Sequence, residues 1–357
     1  MNILGVSAYS HDGAVCLMQD GEIVAAASEE QFVRKSNVSS NQDQSIASCL
    51  QQAGIDAGDL DLIAFDTRPF LKLERTLKTY LAFAPAGMGS FLREMPLWFK
   101  HRLRIKTHIV QETGFQGKVI FPEHHEALAA SAFFPSPFQE AAFLVVDGVG
   151  EWATASYGLG DEEGITVLAE MRFPHSLGFL YSAFSHYLGF KVNSGEDTMM
   201  DPSFTGEPKY KKKILSRLMD LKEDGSFRLD MDYFEYQAGL LVANERFAEL
   251  FGRPTATAGG PSTAMDMDLA CSIRAVIEEI VLKMVEHLHV RTGRKKLCLS
   301  GWVSRNCVDR DRILRESSFD DIWVQPEAGG AGAALGAAMF AWHQYLGNKK
   351  FVESVPG

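Results

Sequence analysis

The amino-acid sequence predicts an α/β fold made of two duplicated lobes, and two stretches of the chain support this. Residues 2–8 form an apolar run typical of a buried strand, and a hairpin signal centred on Asp20-Gly21 follows it. Near the middle of the chain, Ala141–Asp147 is a second apolar run, followed by strands around an acidic turn at 160–164. Because the same order of elements occurs twice, we expect two similar sheets with a cleft between them.

The first half of the chain contains four predicted strands and two helical regions. The strands are residues 2–8, Ala14–Met18, Glu22–Ala27 and Leu60–Phe65. Gln42–Ala53 has apolar residues at helical spacing. Residues 71–115 are helical in pattern and rich in aromatic side chains, with Pro85, Gly87 and Gly89 as interruptions. They predict a helical insertion in the first lobe.

The second half contains five predicted strands and two long helices. The strands are Ala141–Asp147, Trp152–Leu159, Ile165–Met171, Lys296–Ser300 and Ile322–Gln325, and the helices are Met265–His289 and Gly329–Tyr345. Duplicated lobes of this kind, with a ligand cleft between them, resemble the actin, hexokinase and Hsp70 ATPase superfamily. We therefore expect an actin-like lobe at 1–140, with the insertion at about 71–115, and a second actin-like lobe at 141–357.

Length and composition are those of a soluble globular chain of the cytoplasm. The 357 residues are 46% hydrophobic and 23% charged, which leaves room for two lobes. The five cysteines are odd in number and form no Cys-x-x-Cys pair, as in proteins of a reducing compartment. The chain begins with strand residues rather than a leader sequence, and no apolar run reaches the ~18 residues of a membrane span.

The net charge of −11 argues against nucleic acid and anionic membranes as partners, because both require clustered Lys and Arg. Two basic runs stand out against it, Lys209–Lys213 and Lys100–Lys106. We interpret both as solvated helix surfaces. The second run directly follows Trp98-Phe99, and an anionic ligand is its alternative interpretation.

Six dispersed motifs occur in the order in which one enzyme family has them. They are Ser10-His11-Asp12, residues 20–26, Ala129–Pro137, Val146–Thr154, Phe173–Gly178 and Leu188–Glu196. From Leu4 to about Tyr345 the chain resembles the N-terminal domain of the natural-product O-carbamoyltransferases, the nodulation-factor, cephamycin and aminoglycoside type. That domain is itself similar to the universal tRNA threonylcarbamoyl-transfer protein.

The resemblance implies a domain that receives carbamoyl-adenylate and passes the carbamoyl group to a hydroxyl. A metal ion polarises the carbamoyl carbonyl in this family. A second, C-terminal domain of the family makes carbamoyl-adenylate from ATP and carbamoyl phosphate, and we expect it to be absent after Gly357. Two explanations stay open, a fragment of a longer protein or a protein that works without that domain.

The motifs that hold the metal ion in this family are incomplete. His124 matches a metal histidine, but Leu128 stands one helical turn later, where the second histidine belongs. Gly330 replaces the aspartate of a Gly-rich motif at 329–336. Asp147 matches a strand-end carboxylate of the metal and nucleotide site. With one histidine and one aspartate left, we expect no metal ion at His124.

The nucleotide loops depart from the family pattern as well. Trp302 occupies a turn, residues 301–306, in which the family has a second glycine. Asp201 adds a carboxylate to a loop, residues 200–208, that approaches phosphate. We therefore expect weak ATP binding or none, and no cofactor.

The side of the cleft that serves the acceptor is better preserved. His11 and Asp12 lie on the turn after the first strand, where a loop histidine beside an aspartate can act as general base. The alternative is a turn in which Asp12 binds local backbone N–H groups. Together with Asp147, these two residues form the predicted catalytic set.

The predicted substrate-binding residues lie on the same motifs. They are His124, His125, Glu126, Glu151, His175, Asn193 and Glu196. Two of them have structural alternatives that stay open. Glu126 is alternatively a solvated helix carboxylate, and His175 is alternatively a cap of the following helix, alongside Ser176.

Two functions from different classes are consistent with these observations. The first is a divergent carbamoyltransferase-like enzyme of natural-product biosynthesis, which acts on a small-molecule acceptor without metal or ATP. The second is a non-catalytic pseudoenzyme that pairs with an active carbamoyltransferase or another biosynthetic protein. A homodimer is compatible with both, and we expect neither nucleic acid nor a membrane as partner.

Overall fold

A computed structural model describes residues 1–8, 13–33, 43–190, 199, 205–237, 242–257, 263–327 and 329–350. Four of the predicted site residues lie outside the described residues, namely His11, Asp12, Asn193 and Glu196. Asp201, which the nucleotide argument used, lies outside them as well.

The first sheet has five strands. They are β1 (Asn2–Ser7), β2 (Ala14–Gln19), β3 (Glu22–Ser28), β4 (Leu62–Phe65) and β5 (Lys118–Ile120), in the order β3-β2-β1-β4-β5. β1 pairs antiparallel with β2 and parallel with β4. β1, β2 and β4 are buried along almost their whole length, as expected of strands that are covered on both faces.

The second sheet also has five strands. They are β6 (Ala141–Val146), β7 (Ala153–Asp161), β8 (Gly164–Arg172), β11 (Lys296–Ser300) and β12 (Asp321–Val324), in the order β12-β11-β6-β7-β8. β6 pairs antiparallel with β7 and parallel with β11. A small hairpin of β9 (Met219–Leu221) and β10 (Phe227–Leu229) lies outside both sheets.

The two sheets share one plan, and the prediction of two duplicated α/β lobes is confirmed. In each sheet a three-stranded antiparallel meander is extended by a parallel strand beside its first strand, and then by another. The first strand of each meander is the one that sequence analysis recognised as an apolar run. The division of the chain at 140/141 stays a prediction.

The turn between β2 and β3 explains why the first hairpin forms where the sequence predicts it. Asp20 and Gly21 both have positive φ, 50° and 92°, as a two-residue hairpin turn requires. Glycine is needed at the second position for a further reason. A Cβ atom there would lie 2.7 Å from the indole nitrogen of Trp342.

Thirteen helices lie within the described residues. They are α1 (Glu30–Val33), α2 (Asp43–Ala53), α3 (Pro69–Phe83), α4 (Met88–Lys100), α5 (Ile105–Thr113), α6 (His124–Phe133), α7 (Leu177–Tyr187), α8 (Lys211–Arg217), α9 (Glu245–Phe251), α10 (Ala264–Thr292), α11 (Trp302–Asn306), α12 (Arg310–Glu316) and α13 (Gly329–Met339). A π-helix, Phe340–Tyr345, continues α13. None of the helices in the described ranges combines the length and apolar character that crossing a bilayer requires.

The predicted helical insertion at 71–115 corresponds to α3, α4, a 3-10 turn at Arg102–Arg104 and α5. The chain breaks between α3 and α4, where Pro85 and Gly87 lie, as predicted. Gly89 was predicted as a further interruption, and this is wrong, because Gly89 lies inside α4. One glycine costs a helix only about 1 kcal/mol relative to alanine, which neighbouring residues can offset.

Helices α6 and α13 pack closely against each other and join the two sheets. One apolar cluster contains their alanines together with Ile3 of β1 and Phe143 of β6. Small side chains allow this approach. A Cβ atom at Gly336 in α13 would lie 1.8 Å from the carbonyl oxygen of Ala127 in α6. This contact fixes the position of α6, which begins at His124.

Gly336→Ala is expected to lower the free energy of unfolding by about 3 kcal/mol, because the new methyl group meets a backbone oxygen that cannot move aside. Gly89→Ala is the matched control, since it is also a helical glycine but has open space around it. We expect it to raise stability slightly. Urea unfolding measures both, and equal midpoints for the two variants would contradict the close helix contact.

Candidate functional site

Three side chains from both lobes meet at the carboxyl ends of two strands. Asp66 directly follows β4, Asp147 directly follows β6, and His124 is the first residue of α6. The His124 ring lies between the two carboxylates. Its Nε2 is 3.2 Å from Asp147 Oδ2, and its Nδ1 is 3.3 Å from Asp66 Oδ2. Ser7 Oγ donates a 3.0 Å hydrogen bond to the same oxygen of Asp66.

The two carboxylates hold His124 in its charged form. Burial alone would lower the pKa of His124, but the hydrogen bond to Asp147 and the charges of Asp147 and Asp66 outweigh burial and raise the pKa to about 10. Burial alone would raise the pKa of Asp147, but the His124 imidazolium lowers it to about 2. At neutral pH the cluster is therefore an imidazolium between carboxylates.

The backbone N–H of Trp302 donates to the other oxygen of Asp147, at 3.2 Å. Its indole ring lies against Tyr181, with 5.2 Å between the ring centroids. Because Trp302 begins α11, this N–H belongs to the group of helix N-terminal donors that otherwise serve phosphate. This N–H is therefore already bonded to Asp147, and the indole packs on the core of the second lobe.

Glu151 is buried and joins the first turn of α6 to the segment between β4 and α3. Its Oε1 accepts from the backbone N–H of Arg68 at 2.7 Å, and its Oε2 accepts from that of His124 at 3.0 Å. Gly150 lets this loop approach, since a Cβ atom there would lie 3.0 Å from His124 Cβ. Glu151 therefore lies beside the site and holds two backbone segments together through hydrogen bonds. Substrate contact by Glu151 stays a prediction.

His125 and Glu126 have structural partners in this arrangement. His125 is buried, with Nδ1 2.8 Å from Ser156 Oγ of β7, and burial lowers its pKa to about 3. Glu126 accepts from the backbone N–H of Glu123 at 2.8 Å and completes a capping box at the start of α6. It also pairs with Arg68 at 3.4 Å. The Nε2 atom of His125 has no hydrogen-bond partner among the described residues, and substrate binding by His125 and Glu126 stays a prediction.

His175 lies near the start of α7 and bonds to the small hairpin. Its Nδ1 accepts from the backbone N–H of Leu229 at 3.2 Å, and burial together with Arg228 lowers its pKa. The helix cap is Ser176, whose Oγ accepts from Phe179 N at 3.1 Å. Of the two interpretations of this segment, capping is performed by Ser176 and not by His175.

Two cations of α3 point toward this cluster. Arg75 donates to the carbonyl oxygen of Gly150 at 2.9 Å and lies over the Phe173 ring at 5.3 Å. Burial lowers the pKa of Arg75 to about 10. The pKa of Lys72 is also lowered by burial and by Arg75, while the charges of Asp66 and Glu151 act in the opposite direction. Arg75 thus adds positive charge beside Glu151, and Lys72 adds an amine beside Asp66 and Glu151.

Sequence reasoning identified His124 and Asp147 but missed Asp66, Lys72 and Arg75. A signal for the two cations was present, because their spacing of three residues puts them on one face of a helix. For Asp66 the signal was its position directly after a buried strand, the same position that singled out Asp147.

The metal ion that the family resemblance implies does not fit this donor set. Asp66 and Asp147 approach different nitrogens of one imidazole, so an ion on either nitrogen has only one carboxylate beside it. Leu128 is only 1% exposed and packs in the apolar cluster. Gly330 in α13 offers no ligand. In the part of the chain that the structure describes, no group of three or more His, Cys, Asp or Glu is arranged to hold a metal.

Two buried atoms of the cluster, Asp66 Oδ1 and His124 Nδ1, have no hydrogen-bond partner among the described residues. The approach of Nδ1 to Asp66 Oδ2 is thus an ion-pair contact without hydrogen-bond geometry. Buried polar atoms are costly unless a ligand or water binds them. In the imidazolium form Nδ1 is a donor, and Asp66 Oδ1 is an acceptor. The cluster therefore offers a ligand one donor and one acceptor.

A family model described as "Carbamoyltransferase N-terminus" matches residues 2–339. The chain is 49% identical, over 98% of its length, to the uncharacterized protein sll1178 of Synechocystis sp., and covers 58% of that protein. It is 31% identical over 93% of its length to nodulation protein NolNO of Sinorhizobium fredii, of which it covers 46%. The chain thus spans about half the length of the curated relatives that it matches.

Among solved structures, the chain is similar to the activator of the 2-hydroxyisocaproyl-CoA dehydratase from Clostridium difficile with bound ADPNP. The identity is 14% and the TM-score 0.48, over the whole of both chains. It is also similar to the ROK hexokinase from Thermus thermophilus, with 13% identity and a TM-score of 0.41 over 95% of this chain and 98% of that one. Neither similarity bears on the ligand or the reaction of this chain.

Proposed function

Because this chain belongs to the carbamoyltransferase N-terminus family, we propose that it transfers a carbamoyl or closely related group to a hydroxyl of a small-molecule acceptor. The observation that carries this proposal is a pair of buried atoms without a hydrogen-bond partner among the described residues, His124 Nδ1 and Asp66 Oδ1. A carbamoyl group has the complementary edge, since its carbonyl oxygen accepts a hydrogen bond and its amide nitrogen donates one.

In this proposal the positively charged His124 donates a hydrogen bond to the carbonyl oxygen of the carbamoyl group. When an acceptor hydroxyl attacks the carbonyl carbon, negative charge develops on that oxygen, and a fixed donor beside it lowers the barrier. Asp66 and Asp147 keep the imidazolium charged, as the raised pKa of His124 indicates. Asp66 also orients the carbamoyl amide through its free oxygen.

The remaining steps need a base and a site for the leaving group. The bond from the acceptor oxygen to the carbonyl carbon forms as the bond from that carbon to the leaving group breaks. The hydroxyl proton passes to a base, for which sequence analysis suggests His11 with Asp12. The departing anion is stabilised by the positive charge of Arg75 beside Glu151 and by a hydrogen bond from the amine of Lys72.

We further propose that the reaction uses neither a metal ion nor ATP bound to this chain. The imidazolium lies between the two carboxylates, where its positive charge already offsets one of their two negative charges. The backbone N–H of Trp302, which could otherwise bind a phosphate, donates its hydrogen bond to Asp147. Both features support a donor molecule other than nucleotide-bound carbamate.

The second candidate is a non-catalytic partner of an active carbamoyltransferase or another biosynthetic protein. One observation favours it. Glu151, Glu126 and His175, which the sequence suggested as substrate ligands, all bind backbone N–H groups and stabilise the fold. A scaffold that has kept its shape and lost its substrate contacts would look the same at these positions.

Binding of a minimal carbamate tests the proposal. We expect methyl carbamate to bind the protein and methyl acetate, which lacks the amide N–H, to bind more weakly. Asp66→Asn should weaken the preference for carbamate, because the oxygen that accepts from that N–H loses its charge. Saturation-transfer NMR measures both probes. Asp220→Asn, which changes an exposed carboxylate far along the chain, is the control.

Equal binding of the two probes, or a carbamate preference that is undiminished in Asp66→Asn, would contradict the proposed role of the donor–acceptor pair. Absence of binding of either probe, in a variant series that stays folded, would favour the non-catalytic partner.

A further inference from the structure

Helices α3 and α4 form a hairpin with almost no buried residues, which we call the α3–α4 hairpin (residues 69–100). None of the fifteen residues of α3 is fully buried, although Lys72 and Arg75 are half-buried, and in α4 only Trp98 is fully buried. Six of the thirteen exposed large hydrophobic side chains of the described residues lie on it. The most exposed are Leu81 at 78%, Phe70 at 71%, Leu92 at 64% and Phe99 at 62%. Such clustering marks an interaction surface.

Three of the four exposed apolar residues of α4 share one face, as do the two of α3, while Leu97 lies on the opposite side of α4. In α4, Met88, Leu92 and Phe99 fall within about 40° of each other at roughly 100° per residue. In α3, Phe70 and Leu81 are eleven residues apart and fall within about 20°. The described residues leave this face of two adjacent helices uncovered, which makes it a candidate interaction surface.

The charge around this face is opposite to that of the whole protein. Residues 88–111 contain five basic residues, Arg93, Lys100, Arg102, Arg104 and Lys106, and one acidic residue, Glu94. This gives a local net charge of +4 in a chain of −11. Arg102 pairs with Glu94 at 3.3 Å. The other four cations are exposed.

The cations also lie close to the apolar face. Arg93 and Lys100 lie roughly a third of a turn round α4 from Phe99, on the exposed side of the helix. Arg104 and Lys106 follow within the next two turns of chain. An exposed apolar face flanked by Lys and Arg, with aromatic side chains in it, is the pattern of helices that lie in the surface of an anionic bilayer.

We propose that the α3–α4 hairpin docks on the surface of an anionic lipid bilayer, with Leu92 and Phe99 inserted among the acyl chains and Lys100, Arg104 and Lys106 at the headgroups. The expectation that no membrane is a partner rested on net charge, which describes the whole chain and not this patch. The proposal is independent of the reaction proposed above. It places the protein at a membrane as a peripheral protein.

Vesicle co-sedimentation of the full chain tests the docking. We expect binding to vesicles of equimolar phosphatidylglycerol and phosphatidylcholine, little binding to phosphatidylcholine alone, and release by salt. Lys100→Glu with Lys106→Glu should weaken binding by well over tenfold, because each cation near an anionic surface contributes roughly a fivefold factor. Phe99→Glu should weaken it strongly as well.

Two control variants match these changes in chemistry and exposure but lie outside the hairpin. Val290→Glu replaces an exposed apolar residue of α10, and Lys295→Glu replaces an exposed cation. Both are expected to bind anionic vesicles like the unaltered chain. Circular dichroism establishes that every variant is folded.

Three results would overturn the proposal. The first is no binding to anionic vesicles by the folded chain. The second is equal loss of binding in the control variants. The third is a lipid-independent dimer that Phe99→Glu converts to a monomer in light scattering, since the hairpin would then be a protein interface.

Discussion

Asp147→Asn is expected to lower the free energy of unfolding by about 3 kcal/mol, because protonated His124 then keeps one carboxylate partner where it had two. Breaking a buried ion pair costs about 3–5 kcal/mol, and the remaining Asp66 keeps the cost near the lower end. Asparagine retains an oxygen that accepts from Trp302 N, so the change tests charge rather than shape. Urea unfolding measures the effect.

The pH dependence of this effect has a defined sign. The pKa of Asp147 is lowered from 3.8 to about 2, so its contribution is present above pH 3.8 and is lost as the pH falls through 2. The pKa of His124 is raised from 6.5 to about 10, so its contribution is complete below pH 6.5 and is lost as the pH rises through 10. The difference between the unaltered chain and Asp147→Asn should therefore be largest between pH 3.8 and 6.5.

Asp220→Asn is the matched control, because its carboxylate is 61% exposed and pairs with Lys222 at the surface. We expect it to change stability by less than about 0.5 kcal/mol. An Asp147→Asn protein as stable as the control would contradict the ion-pair description of the site. So would a stability difference that persists above pH 10.

The fold could be predicted from the sequence because its signals are local. The Asp20-Gly21 turn specifies the hairpin of β2 and β3, and the apolar run at Ala141–Asp147 begins the hairpin of β6 and β7. Each signal lies within about twenty residues of chain, and both hairpins form. The parallel strands β4, β5, β11 and β12 join the sheets through long-range pairing, and the sequence showed most of them as apolar runs without their order. Order depends on packing across the whole sheet, which no local pattern encodes.

The site was predicted only in part, for a related reason. His124 and Asp147 could be found because a motif and a strand end marked them. Whether a carboxylate faces a ligand or a backbone N–H depends on which loop lies beside it. Glu151 follows the same strand end as Asp147, yet it reaches the backbone of Arg68, from a segment about eighty residues away in sequence. The contact between Asp66 and His124 likewise depends on which segments the fold brings together.

His124→Gln is expected to lower the rate of group transfer by roughly 100- to 1,000-fold, the usual cost of removing a donor that stabilises an oxyanion. Glutamine keeps a hydrogen-bonding amide but has no positive charge between Asp66 and Asp147. His11→Ala should lower the rate by about 100- to 10,000-fold if His11 is the general base. The measurement is the mass gain of one carbamoyl group on small molecules of a host-cell extract incubated with the protein.

His287→Gln is the control for this experiment, because His287 lies in α10 with its ring beside Tyr157, and we expect it to leave the rate unchanged. The catalytic interpretation requires that His124→Gln and His11→Ala lose product formation while both variants remain folded. If both variants form product like the unaltered chain, while charge reversal at Lys100 and Lys106 abolishes it, the chemistry belongs to another protein. The duplicated lobes would then act as a scaffold whose imidazolium cluster stabilises the fold, and the surface of the α3–α4 hairpin would be the functional part of the molecule.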